Sequence, residues 1–169
     1  MPLRVKGIGI DPIIFVGLGG SGAEIVARLK DLIRNLFEDP NDPNWQSIQF
    51  LVIDADRFDA LPDVCRAVID YATEYVSIGG VNPREYVMNL LERRAKGGED
   101  LREWLCAGQK SPPETLLRML PNQVVVNGAE RLRPLSRILF HRHRGEIESR
   151  LVGKWQAAVN ASIRMAQSV

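Results

Sequence analysis

The spacing of apolar residues changes period twice before position 55. Residues 13–18, IIFVGL, form a short continuous apolar run, which predicts a buried strand. From Ser21 the pattern turns helical. Ile25, Val26, Leu29, Leu32, Ile33 and Leu36 recur every three or four positions, and Arg28, Lys30, Asp31 and Arg34 fall on the opposite face. Two prolines and several turn formers in EDPNDPNW, residues 38–45, stop that helix. The next run, IQFLVI at 48–53, is rich in β-branched and aromatic residues and ends at Asp54-Ala55-Asp56. It predicts a second strand.

Residues 61–71 carry a weaker helical pattern, and EYVSIGGVNP at 74–83 reads as a third short strand breaking into a Gly-Gly and Asn-Pro turn. Residues 84–96 predict an amphipathic helix with Tyr86, Val87, Leu90 and Leu91 on one side. Residues 104–120 are irregular, with a Ser-Pro-Pro break before a short helix, and QVVVN at 123–127 is either a fourth strand or an extended loop. From 134 to 169 the chain is predicted helical, with a break near Gly145 and a stripe of Ile147, Leu151, Trp155, Ala158 and Ser162. Strands alternating with helices imply an α/β fold of the doubly wound type, a mainly parallel sheet with helices on both faces.

The junction between the first strand and the first helix carries the chemistry. Gly17, Gly19, Gly20 and Gly22 occupy four of six positions there, with Ser21 between them. Glycine allows positive φ and close approach of a ligand to the backbone. The helix that follows offers unsatisfied N–H groups and the positive end of its dipole. Together these make an anion site suited to phosphate; the competing reading is a tight strand-to-helix turn that binds nothing. The spacing G-x-G-x-x-G also matches a dinucleotide fingerprint, which expects an acidic residue at the end of the second strand to hold a ribose. Asp54 and Asp56 stand there, delayed by the 38–45 insertion. No Gly-Lys-Ser/Thr follows the glycines, so a Walker-type loop is not supported.

Three segments in order resemble the tubulin/FtsZ superfamily of GTP-binding proteins, in particular its bacterial tubulin-like branch. FVGLGGSGAEIVARL is similar to the first nucleotide loop, QFLVIDADRFDAL to the second-strand segment, and SIGGVNPREYV to the loop that approaches the terminal phosphate. NGAERLRPLSRILF also looks like a segment of the bacterial tubulin-like proteins. The resemblance implies a site that takes GTP or GDP, with Mg2+ as a candidate companion. In it Gly17, Gly19, Gly20, Ser21 and Gly22 would meet the diphosphate, and Asp54 and Asp56 would lie near the nucleotide or its metal. Gly79, Gly80 and Asn82 would form the loop near the terminal phosphate. For Asp54 and Asp56 a solvated strand end competes with that role, and for Gly79 and Gly80 a plain turn does. The superfamily's Gly-Gly-Gly-Thr-Gly-Ser/Thr-Gly loop and its later acidic loop are absent from this sequence. The expectation is therefore a single nucleotide-binding α/β domain over 1–169, truncated at its C-terminal end, that is not by itself a competent GTPase. Self-association or a filament partner is expected from the resemblance.

Composition changes this picture little. The 169 residues carry a net charge of +1, so no global attraction to nucleic acid or to an anionic membrane is expected. Six arginines and two histidines gather in residues 130–150, but Glu130, Glu146 and Glu148 dilute them, and a solvated face or a protein interface is the plainer reading. His141 and His143 are two apart and point in different directions on a helix, which argues against a metal site. Cys65 and Cys106 show no ligand spacing and read as buried or free thiols. No apolar run is long enough to span a bilayer, and a cytoplasmic protein is expected. Two other functions remain open on the sequence: a Rossmann-type domain for NAD(P) or FAD, and an interaction scaffold that has lost its ligand.

Overall fold

The computed structural model describes residues 11–37, 39, 41–94, 117–126 and 133–167. They form the α/β arrangement expected from the alternating pattern, divided into two compact units. The first comprises residues 1–54, 58–76 and 145–169; the second comprises 55–57 and 77–144.

The first unit holds the sheet. Strand β1 (Ile13–Leu18) pairs in parallel with β2 (Ile48–Asp54), Ile13 opposite Ile48 and Leu18 opposite Ile53. The sheet order is β1-β2-β3, β3 being Tyr75–Ser77, so β2 is central. A central strand covered on both faces must be apolar throughout, and all of β2 except Gln49 is buried. Helix α1 (Gly19–Arg34) packs on β1 and β2. The insertion at 38–45 closes with one helical turn, α2 (Pro43–Gln46), which delivers Trp45 to the core; its ring lies 5.8 Å from Phe50, and Phe50 stacks on Phe15 at 5.7 Å. The region 61–71, read as weakly helical, holds helix α3 (Asp63–Val68); a 3-10 turn (Phe58–Ala60) precedes it and helix α4 (Tyr71–Glu74) begins at its end. Cys65 is buried in α3, where burial raises its thiol pKa and keeps it inert. Cys106 lies outside the described residues.

Helix α1 buries only part of the stripe that its periodicity predicts: Val26 is in the core and Ile33 packs against it. Ala23, Val26 and Ala27 face the core, while Ile25 and Leu32 are 65% and 66% exposed. The small residues let the helix sit close to the sheet. Lys30, expected on the solvent face, is turned inward. Its ammonium reaches the Glu74 carboxylate of α4 at 2.5 Å and the Val68 carbonyl at 2.8 Å.

In the second unit, helix α5 (Pro83–Arg94) buries Val87 against Leu120 and Ile138, with Tyr86, Leu90 and Leu91 packed around them. That is the face expected from the sequence. Ile138 belongs to α6 (Arg133–Arg142). The QVVVN segment is an extended loop as far as residue 126, with one antiparallel bridge, Val81 to Val125. The long C-terminal helix, α7 (Arg144–Ala166), begins after a break at His143, two residues ahead of the expected Gly145. Of its predicted stripe Ile147 and Ala158 are buried, whereas Trp155 is half exposed. Residues 95–116, which include most of the irregular stretch, lie outside the described residues.

Candidate functional site

The four glycines at the β1–α1 junction have different physical reasons to be glycine. A Cβ on Gly17 would lie 2.5 Å from the Gly22 carbonyl oxygen, and one on Gly22 would lie 2.9 Å from the Gly17 carbonyl carbon. These two residues let the strand end and the helix start touch backbone to backbone. Gly19 has φ +70°, a conformation that side chains resist. Gly20 has neither reason: its φ is ordinary, and a Cβ there would meet nothing closer than the Asp54 carboxylate oxygen at 3.9 Å. It is exposed, at the opening of the turn.

The helix that starts here is uncapped. Leu18 precedes it in an extended conformation and has no acceptor to offer, and the first turn carries no acidic residue. Its N–H groups therefore receive no side-chain cap, which leaves the positive end of the α1 dipole facing the turn. Asp54, at the C-terminal end of β2, is buried beside Gly20. A carboxylate there repels a bare phosphate, so its chemistry is to accept from a hydroxyl or to hold a cation. Gly17, Gly19, Gly20, Ser21, Gly22 and Asp54 are thus brought together within the first unit. Among the described residues no group of three or more His, Cys, Asp or Glu side chains is placed to hold a metal.

The remaining predicted residues, Asp56, Gly79, Gly80 and Asn82, belong to the second unit. The Asp56 carbonyl accepts a hydrogen bond from the Ser77 hydroxyl at 3.4 Å. A Cβ on Gly79 would come within 2.2 Å of the Ala55 carbonyl oxygen, and Gly80 has φ +76° while its N–H donates to the Val125 carbonyl at 2.8 Å. Asn82 caps α5: its side-chain oxygen accepts the Glu85 N–H at 3.2 Å.

The family model described as tubulin like matches residues 14–169. The chain belongs to the tubulin-like family. Comparison with curated proteins gave no match, and neither did comparison with solved structures. In this tubulin-like chain the Gly79–Asn82 loop forms one wall of a cavity of about 290 Å³, small for a ligand pocket. Glu85 and Tyr86 of α5 line it too, as do Arg142 and His143 at the end of α6, a contribution that the sequence did not signal. Two arginines of the basic segment at 130–150 make their contacts in different units. Arg142 lies over the Tyr86 ring at 6.0 Å in the second unit, while Arg150 donates to the Ala72 carbonyl at 2.6 Å in the first. His141 meets the Tyr86 hydroxyl through Nδ1 at 2.8 Å. No helix among the described residues is long and apolar enough to cross a membrane.

Proposed function

We propose that the chain is a guanine-nucleotide-binding domain, taking GTP or GDP at the glycine turn of the first unit, and that in the protein's working form this binding is linked to self-assembly. Membership of the tubulin-like family supports the nucleotide class. The observation that carries the location is Gly20: the one glycine of the turn with no steric or conformational reason to be glycine stands at an uncapped helix N-terminus beside a buried carboxylate. The α1 N–H groups hold the diphosphate, and Asp54 accepts from a ribose hydroxyl or holds Mg2+. The roles of Asp56, Gly79, Gly80 and Asn82 at the terminal phosphate rest on the resemblance to the superfamily. Exposed apolar side chains on α1 (Ile25, Leu32), just after it (Leu36) and on α7 (Val152, Trp155, Ile163) support self-association.

A second reading is favoured by one observation. An acid at the end of the second strand, close to the glycine turn, is also what a dinucleotide-binding domain uses to hold a ribose. Calorimetric titration of the chain with GTP, GDP, ATP, NAD and FAD, with and without magnesium, separates the two. The guanine reading expects GTP or GDP to bind, and expects Gly20→Val to abolish binding with the fold intact. Binding of NAD or FAD alone would assign the turn to a dinucleotide. Sedimentation with and without GTP tests the link to assembly, which a nucleotide-independent monomer would refute.

A further inference from the structure

The centre of the inner face of α7 is a lysine. Ile147, Ala158 and Ala161 are buried on that face, and Leu151 and Lys154 lie half-buried between them at helical spacing. One turn before Lys154, Arg150 donates to the Ala72 carbonyl at 2.6 Å, which sets this stretch of α7 against α4, the helix that carries Glu74. The charged groups that act on Lys154 are Lys30 of α1, Asp70 and Glu74 at the two ends of α4, and Arg150 of its own helix, all in the first unit. Three cations thus share two carboxylates, and both carboxylates are engaged. Glu74 Oε2 accepts from the Lys30 ammonium at 2.5 Å and from the Asp70 N–H at 2.9 Å, and Asp70 Oδ1 accepts from the Thr73 N–H at 2.9 Å. Among the described residues Lys154 makes no hydrogen bond or ion pair.

Of the three cations, Lys154 is the one the fold can discharge. The Arg150 guanidinium does not give up its proton, and Lys30 is held by its carboxylate. Burial, with Lys30 and Arg150 adding to it against Glu74 and Asp70, lowers the Lys154 pKa from 10.5. A lysine that is partly desolvated beside other cations is an activated nucleophile, because more of it is free amine. We propose that Lys154 is an acylation site that takes the acyl group of a small acyl phosphate. The amine nitrogen attacks the carbonyl carbon and forms an N–C bond. The C–O bond to the phosphate breaks, phosphate leaves with the electron pair, and the nitrogen loses a proton to water. Arg150, which lies at the surface, draws the anionic donor in and faces the charge that grows on the departing phosphate. A half-buried position suits a donor of a few atoms. The product is a neutral amide, which leaves two cations to two carboxylates. The site is separate from the glycine turn, and the reaction needs no nucleotide.

The test is incubation of the full chain with acetyl phosphate at pH 8 and peptide mapping by mass spectrometry, following the rate at which residue 154 gains an acetyl group. The reference is a blocked peptide of residues 150–158 in the same buffer, in which the lysine has no folded surroundings. Wild type is compared with Arg150→Gln and Arg150→Lys, each checked by circular dichroism for an intact fold. Lys154 in the folded chain should react about threefold or more faster than in the peptide, since a modest fall in pKa multiplies the free amine. Arg150→Gln should remove most of that advantage, and Arg150→Lys, which keeps the charge, should retain most of it. Reaction at Lys154 no faster than in the peptide would overturn the proposal, as burial would then only shield the amine. An advantage that survives in folded Arg150→Gln would overturn it too, because the cation cluster would not be its source. Should Arg150→Gln fail to fold, the comparison of wild type with the peptide decides alone.

Discussion

Lys30 of α1 and Glu74 of α4 meet at 2.5 Å with their side chains only 13% and 11% exposed. Glu74 also accepts the Asp70 backbone N–H at 2.9 Å, and Lys30 donates to the Val68 carbonyl, so the pair ties the first helix to the segment entering β3. Desolvation makes such a pair a weak net stabiliser, yet removing one partner strands the other. Lys30→Met should therefore lower unfolding stability by about 3 kcal/mol, and adding Glu74→Leu should restore most of it. Urea titration of the single and double variants measures this. A single variant as stable as wild type would show that the contact is dispensable.

The glycines of the turn should separate under substitution. Gly17→Ala drives a methyl into the Gly22 carbonyl at 2.5 Å and should unfold the junction, a loss of about 3 kcal/mol or more. Gly20→Ala meets no such neighbour, and alanine is the better helix former, so stability should stay level or rise by up to about 1 kcal/mol. Thermal melts of the two variants side by side should differ widely; equal losses would mean that the backbone contact is not what constrains position 17.

Why these distinctions were hidden in the sequence is a matter of range. The bounds of β1 and most of β2 were legible as apolar runs, but the burial expected of both holds only for the central β2; β1 is at the edge of the sheet, with Ile13, Val16 and Leu18 exposed. The inner face of α5 was legible because Val87 and its neighbours repeat at helical spacing. The inner face of α1 was legible only in part, at Val26 and Ile33, since periodicity weighs Ile25 and Leu32 above Ala23 and Ala27, and close packing on a sheet reverses that weight. Lys30 is buried only because Glu74 waits for it 44 positions later. The glycine turn was visible as a cluster, but only the geometry separates Gly20 from Gly17 and Gly22. Arg142 was visible only as one of the basic residues of 130–150; that it lines a cavity with residues 79–89 could not be seen, because nothing local links them.

Acid should weaken the first unit partly through Asp70. Its carboxylate caps α4, accepting the Thr73 N–H at 2.9 Å, and this backbone hydrogen bond holds its pKa below the usual 3.8. The folded state thus favours the ionised form. The stabilisation is complete above the unfolded value and is lost as pH falls below 3.8 through the folded pKa. Asp70→Asn should show a smaller fall in melting temperature than wild type between neutral pH and pH 3; parallel falls would remove Asp70 from the account.

Alkali should do the reverse through Lys154. Burial in α7 lowers its pKa from 10.5, aided by Lys30 and Arg150, while Glu74 and Asp70 oppose the shift. The charged form is thus disfavoured by folding, a penalty present in full below the folded pKa and relieved as pH rises from there to 10.5. Lys154→Met should raise the melting temperature at pH 7, and its advantage should shrink as pH rises towards 10.5. A gain independent of pH would point to packing alone.

The touching backbones of Gly17 and Gly22 also leave a trace that could be read across descent. Selection for the fold acts on those two positions whether or not anything binds, because each excludes a side chain on the other. Selection at position 20 comes only from what approaches the turn. Lineages of this chain that gave up their ligand would keep glycine at 17 and 22 and drift freely at 20, so the pattern of drift among relatives would record which of them still bind.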